Sequence, residues 1–184
     1  MKKITIFLTT ALFMAHAHAV RADNYKYVPY IGLDYTYADT TAKDFSPSFN
    51  AAGVRVGSEY GQYFGTELFF NQSDKHKRSH ANGKDKQSFR SYGLDIAAYL
   101  PLGCAKKISL IATAGIGEYV FKIKNYPHKH YNEHGYGYRF GGGAKYNFTP
   151  NWQLRMMVRY VKFDRVSDYK HGTEYSAGVE YHFN

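Results

Sequence analysis

The sequence predicts an all-β protein, an eight-stranded antiparallel up-and-down transmembrane β-barrel. Three observations carry that reading: eight stretches of about ten residues alternate apolar with polar side chains, the links between them alternate in length, and the charges gather on one face. Period-two alternation marks a strand whose two faces meet different surroundings. A tilted strand of about 9–11 residues is long enough to cross a bilayer.

The first segment, YIGLDYTYA at 30–38, puts Ile31, Leu33, Tyr35 and Tyr37 on one face and Tyr30, Gly32, Asp34 and Thr36 on the other. AAGVRVGSEY at 51–60 sets Ala52, Val54, Val56 and Tyr60 against Gly53, Arg55, Gly57 and Glu59. FGTELFFNQ at 64–72 sets Phe64, Thr66, Leu68 and Phe70 against Gly65, Glu67, Phe69 and Asn71. SYGLDIAAYL at 91–100 opposes Tyr92, Leu94, Ile96, Ala98 and Leu100 to Gly93, Asp95, Ala97 and Tyr99.

In the second half, SLIATAGIGEYV at 109–120 sets Leu110, Ala112, Ala114 and Ile116 against Ile111, Thr113, Gly115 and Gly117. YGYRFGGGAKYNF at 136–148 carries Tyr136, Tyr138, Phe140, Ala144, Tyr146 and Phe148 opposite Gly137, Arg139, Gly141, Gly143, Lys145 and Asn147. WQLRMMVRYV at 152–161 opposes Trp152, Leu154, Met156, Val158 and Tyr160 to Gln153, Arg155, Met157 and Arg159. The closing stretch from Glu174 puts Tyr175, Ala177, Val179, Tyr181 and Phe183 on one face and Ser176, Gly178, Glu180 and His182 on the other. It is expected to pair with the first strand, so that no edge is left unpaired in lipid.

The links YGQYF, PLGCAKK and TPN are short; DTTAKDFSPSF, SDKHKRSHANGKDKQ, KIKNYPHKHYNEHG and FDRVSDYKHG are longer and polar. Short periplasmic turns facing long surface loops belong to outer-membrane barrels. The N-terminus MKKITIFLTTALFMAHAHA has two lysines, an apolar stretch from Ile4 to about Met14 and small residues at Ala17 and Ala19. It reads as a secretory signal over 1–19, with Ala22 as the second cleavage choice, followed by a barrel domain over 20–184. No later apolar run approaches 18 residues, which excludes a helical membrane protein. The lone Cys104 excludes an intrachain disulfide.

Charge assigns the faces. Asp34, Arg55, Glu59, Glu67, Asp95, Arg139, Lys145, Arg155, Arg159 and Glu180 share the polar side. Each would cost about 2–4 kcal/mol facing lipid at mid-depth, so these ten are expected to form a paired network in a packed lumen. Tyr60, Phe64, Tyr146, Phe148, Trp152, Tyr181 and Phe183 fall at the periplasmic ends. Tyr35, Tyr37, Phe70, Tyr92, Tyr136, Tyr138 and Tyr160 fall toward the loops, giving the two aromatic girdles of a membrane barrel. A soluble secreted ligand-binding barrel, the first alternative, would turn its apolar face inward.

The signal, the glycine-rich fifth segment, FGGGAKYNFTPNWQLRMMVRYVKF and the terminal EYSAGVEYHF together resemble small outer-membrane barrels of Gram-negative bacteria, the opacity/OmpX/OmpA-transmembrane group, with its neisserial surface protein A-like branch nearest. The resemblance spans the mature chain and is specific for architecture rather than activity. It implies that Tyr181 and Phe183 act as the signal read by the barrel-assembly machinery, with Asn184 one residue beyond the usual terminal aromatic. It also raises a lipid A-modifying enzyme as the second alternative. The His-x-Ser arrangement of the deacylase barrels is absent, so no enzyme, cofactor or nucleic-acid partner is expected.

The long links carry the strongest functional signal. Lys75, Lys77, Arg78, Lys84 and Lys86 outnumber Asp74 and Asp85, and Lys122, Lys124 and Lys129 add charge from the third long link. Such a rim suits lipopolysaccharide phosphates or a sulfated host-surface glycan. The set His128, His130 and His134 has the residue type for zinc or copper. With no cysteine and only Glu133 as an acid, a solvated loop is the preferred reading.

Overall fold

The computed structural model describes residues 27–42, 47–74, 76–80, 83–103, 107–125, 129–164 and 169–183. Residues 1–26, where a secretory signal is expected over 1–19, and Cys104 and Asn184 lie outside them. Nine strands run in chain order: β1 Tyr27–Ala42, β2 Ser48–Tyr60, β3 Phe64–Ser73, β4 His76–His80, β5 Gly83–Leu102, β6 Ile108–Asn125, β7 Lys129–Asn147, β8 Trp152–Asp164 and β9 Tyr169–His182. All pairings are antiparallel, in the order β3-β2-β1-β9-β8-β7-β6-β5-β4, and β3 also pairs with β5. β3 and β4 are therefore two pieces of one stave, and the sheet closes into an eight-stave barrel.

Closure is continuous. β9 lies against β1 from Tyr30↔His182 to Ala42↔Tyr169, with a bulge near the last pair. β3 lies against β5 from Phe64↔Ala98 to Gln72↔Arg90. Every stave thus has a partner on each side, the condition for backbone in hydrocarbon. At the ends of two staves Gly61 (φ 67°) and Gly103 (φ 68°) adopt the left-handed conformation that glycine takes without strain.

The outer face is apolar. Leu33, Val54, Ile96, Leu110, Met156 and Val158 are exposed, and Phe64, Tyr146, Phe148, Trp152 and Phe183 lie toward the periplasmic ends. Tyr35, Tyr37, Tyr136, Tyr138 and Tyr160 form the upper belt. A water-soluble barrel would invert this arrangement, so the soluble alternative fails on the packing. The inward glycines make room for large charged chains. A Cβ on Gly115 would stand 2.0 Å from Asp95 Oδ1, and one on Gly178 would stand 2.2 Å from Asp34 Oδ1.

The structure departs from the sequence reading in two places. The second and third long links are mostly strand: β4 pairs with β5 up to His80↔Gly83, and β6 pairs with β7 up to Asn125↔Lys129. Above the bilayer both faces meet water, so the alternation fades while the hydrogen-bond ladder continues. The lumen is also not polar throughout. Phe49, Phe89, Tyr119, Phe121, Phe163 and Tyr169 pack with Ala38, Ala51 and Val161 into an apolar cap at its extracellular end. Phe121 and Tyr169 stack at 4.0 Å between ring centroids. Phe49, Phe163 and Tyr169 stand in stretches that read as loops and Phe89 between a loop and a segment, where no face could be assigned to them.

Candidate functional site: charged lumen and basic outer wall

The lumen network centres on Glu67 of β3, which has no solvent exposure. It accepts hydrogen bonds from Arg155 Nη1 at 2.6 Å, Arg155 Nη2 at 3.2 Å and the Tyr30 hydroxyl at 2.7 Å. Arg55 Nη1 and Arg159 Nη2 each stand 3.6 Å from it. Arg55 bridges outward to Asp34 and to Glu180 Oε1 at 2.5 Å, and Arg155 reaches the same Glu180 oxygen at 3.1 Å. These five strands are tied across the lumen by charge-assisted bonds, the strong class of hydrogen bond.

Toward the extracellular end, Arg139 Nη2 lies 3.6 Å from Asp95 Oδ2 and 3.2 Å from Glu174 Oε2, and Arg159 Nε lies 3.8 Å from Asp95. The Tyr119 hydroxyl donates to Glu174 Oε1 at 2.9 Å, linking the charged zone to the aromatic cap. At the periplasmic end Lys145 pairs with Glu59 and sits 3.9 Å from the Tyr99 ring centroid. His182 stacks on Tyr30 at 5.0 Å beside Glu180. All ten residues assigned to the lumen from the sequence thus stand within it, eight of them joined by ion pairs into one mesh and Lys145 with Glu59 forming a separate pair.

Other members lay outside that set. Glu174 completes Arg139, and the Phe69 ring lies 3.5 Å beneath the Arg139 guanidinium. Both have the inward parity that would have identified them. Tyr30, Tyr99 and Tyr119 supply buried hydroxyls from the same face. At the chain's last described residues, Tyr181 packs edge-on against Trp152 at 5.1 Å and against Phe183 at 5.1 Å. The Phe183 amide donates to the Pro29 carbonyl at 2.9 Å.

The predicted basic residues fall on one wall. Lys77, Arg78, Lys84 and Lys86 belong to the β4–β5 hairpin, and Lys122, Lys124 and Lys129 to β6 and β7. The register sets Lys77 opposite Lys86, Lys86 opposite Lys124 and Lys124 opposite His130, one row across four strands. Lys75 and His128 lie outside the described residues. His134 stands on the outer face, its Nδ1 3.3 Å from Glu118 Oε1, and Glu118 also accepts from the Tyr92 hydroxyl. Among the described residues no group of three His, Cys, Asp or Glu side chains comes close enough to hold a metal.

Residues 5–183 match the family model of the outer membrane protein beta-barrel domain. The chain belongs to that family. This family member is similar in structure to neisserial surface protein A, with a TM-score of 0.71, 16% identity, and 84% of this chain and 97% of that one covered. It is also similar to Ail, the attachment invasion locus protein of Yersinia pestis, solved with the heparin analogue sucrose octasulfate: TM-score 0.64, 15% identity, 86% of this chain and 99% of that one. The N-terminal barrel domain of Pseudomonas aeruginosa OprF gives a TM-score of 0.57 at 12% identity, covering 84% of this chain and 97% of that one. No curated protein sequence matches the chain. Identities this low carry the fold. The family assignment and the lipid-facing exterior place the protein in the bacterial outer membrane.

Proposed function

We propose that this outer-membrane barrel is a structural surface protein whose raised basic wall captures polyanionic glycan, either lipopolysaccharide or a sulfated host-surface chain. The observation that carries the reading is the row Lys77, Lys86, Lys124 and His130, set opposite one another on four adjacent strands. Like charges placed directly opposite weaken a sheet, and a bound polyanion relieves that repulsion. Ail, a barrel of the same architecture, was solved with a heparin analogue, which supports sulfated glycan as one ligand class.

The test compares heparin and lipopolysaccharide binding of the refolded protein with a variant in which Lys75, Lys77, Arg78, Lys84 and Lys86 are changed to Gln. Wild-type heparin affinity is expected to fall steeply with added salt, and the variant to lose most of it. Equal binding by both proteins would reduce the wall to a solvated surface. In the same proposal, Tyr181 and Phe183 serve assembly by presenting two aromatic side chains on the outer face of the closing strand.

A further inference from the structure

The outer surface of β5, β6 and β7 can be followed upward from the lipid, row by row. Leu94, Ile116 and Tyr138 form one row, and Tyr92, Glu118 and Tyr136 the next, within the upper aromatic belt. Then come Arg90, Val120 and His134, and above them Ser88, Lys122 and Asn132. Residues directly opposite in an antiparallel ladder share a face, so these rows continue the lipid-facing surface without turning inward. Phe89, Tyr119 and Phe121 between them are buried in the cap, which fixes that parity.

Three basic side chains therefore surround Val120 on the outside of the barrel: Arg90 and His134 directly across from it, Lys122 two residues above. Arg90, Lys122 and His134 are all exposed. Strands tilted at about 40° climb roughly 2.5 Å per residue, so this triangle stands about 5–10 Å above Tyr92, Glu118 and Tyr136. That is the depth of the outer-leaflet headgroups. Arg90 is pre-positioned there, its Nε donating to Gln72 Oε1 at 2.8 Å with the guanidinium 5.8 Å from the Phe70 ring. The acid nearest the centre, Glu118, is engaged by Tyr92 and His134. The exposed Asp74 and Asp164 mark the two margins, on the β3 and β8 sides.

We infer that Arg90, Lys122 and His134 form a side-on site for the phosphorylated headgroup of an outer-leaflet glycolipid, with Ser88 as a neighbouring polar group. The occupant is membrane-borne because the site faces sideways into the headgroup layer. A soluble polyanion meets the higher row of lysines first. The site is separate from that row and stands whether or not the row binds glycan.

The experiment uses the full barrel in nanodiscs. Binding of diphosphoryl lipid A is compared with that of its dephosphorylated form, for wild type, for Arg90→Gln/Lys122→Gln/His134→Gln, and for the variant with Lys75, Lys77, Arg78, Lys84 and Lys86 changed to Gln. Heparin binding is measured in parallel, and heat-modifiable gel mobility verifies that each variant is folded. The triple variant is expected to bind diphosphoryl lipid A at least tenfold more weakly than wild type, with heparin binding retained. The hairpin variant is expected to keep lipid A binding whether or not it loses heparin. Lipid A binding by the folded triple variant at wild-type strength would overturn the site, as would wild-type indifference to the phosphates. Loss of lipid A binding in the hairpin variant alone would assign it to the upper row instead.

Discussion

Replacing Glu67 by Gln is the sharpest test of the lumen. The carboxylate accepts two hydrogen bonds from Arg155 and one from Tyr30, and lies 3.6 Å from both Arg55 and Arg159. A Gln of nearly the same shape keeps one accepting oxygen and turns an NH₂ group toward three guanidinium groups. Breaking a buried ion pair by removing one member costs about 3–5 kcal/mol. An overlapping range of about 3–6 kcal/mol follows from losing two hydrogen bonds to a charged group at about 1.5–3 kcal/mol each. The unfolding equilibrium should therefore move by about two to four orders of magnitude. Guanidinium unfolding of the detergent-refolded protein, followed by Trp152 fluorescence and by heat-modifiable mobility, reads the change. Trp152 is the chain's one tryptophan and sits on the outer face, away from the network. The double change Glu67→Gln/Arg155→Met should cost less than the sum of the single changes, because it removes the stranded charge with its partner. A Glu67→Gln loss below about 1 kcal/mol would mean that lumen water solvates the arginines, and the argument from a dry interior would fail.

Three further outcomes test other parts of the barrel. Gly115→Ala should destabilise by about 1–3 kcal/mol in the same unfolding assay, since its Cβ would meet Asp95 Oδ1 at 2.0 Å and the Leu94 carbonyl at 2.4 Å; unchanged stability would show that Asp95 is free to move away. Met156→Arg, midway along β8 on the lipid face, should cost about 2–4 kcal/mol in lipid vesicles, and no cost would contradict its mid-depth position. Phe183→Ala should lower the folded protein recovered from outer membranes several-fold, yet leave refolding of the purified chain in detergent intact. Equal recovery would remove the proposed role of Phe183 in assembly.

The parts of the fold that were legible in the sequence are those in contact with lipid. Leu33, Val54, Ile96 and Val158 must be apolar because hydrocarbon lies outside them, while Arg55, Glu67 and Arg155 must turn away from it. That two-solvent contrast wrote the eight staves into a period of two. Where the lipid ends the sense of the pattern changes: Lys122 and Lys124 take the outer parity that apolar residues hold below them, with Ile123 between, and without a lipid contrast the climbing β6–β7 ladder reads as a loop. The aromatic cap was hidden for a related reason, as Phe163 and Tyr169 both lie in the stretch FDRVSDYKHG, which has no pattern to orient them. The lumen partners were legible only as a set. Which acid meets which arginine depends on the stagger of the closed sheet, which places Glu67 beside Arg155 across the barrel. The outer triangle at Arg90, Lys122 and His134 needed the register of three strands, since the residues belong to separate links and segments in the sequence.

The uneven height of the wall has a consequence of its own. Beyond the Tyr138↔Lys162 pair, β7 continues up to Lys129 while β8 continues only to Asp164. The difference is roughly 20 Å of strand. A cylinder of uniform height looks the same from every neighbour in the membrane plane. This one has a front and a back: a lipid or protein diffusing toward β5–β7 meets a tall charged screen, and one approaching β8, β9, β1 or β2 meets a low rim. Its contacts in a crowded membrane are accordingly directional, and a cluster of such barrels would have an orientation as well as a density.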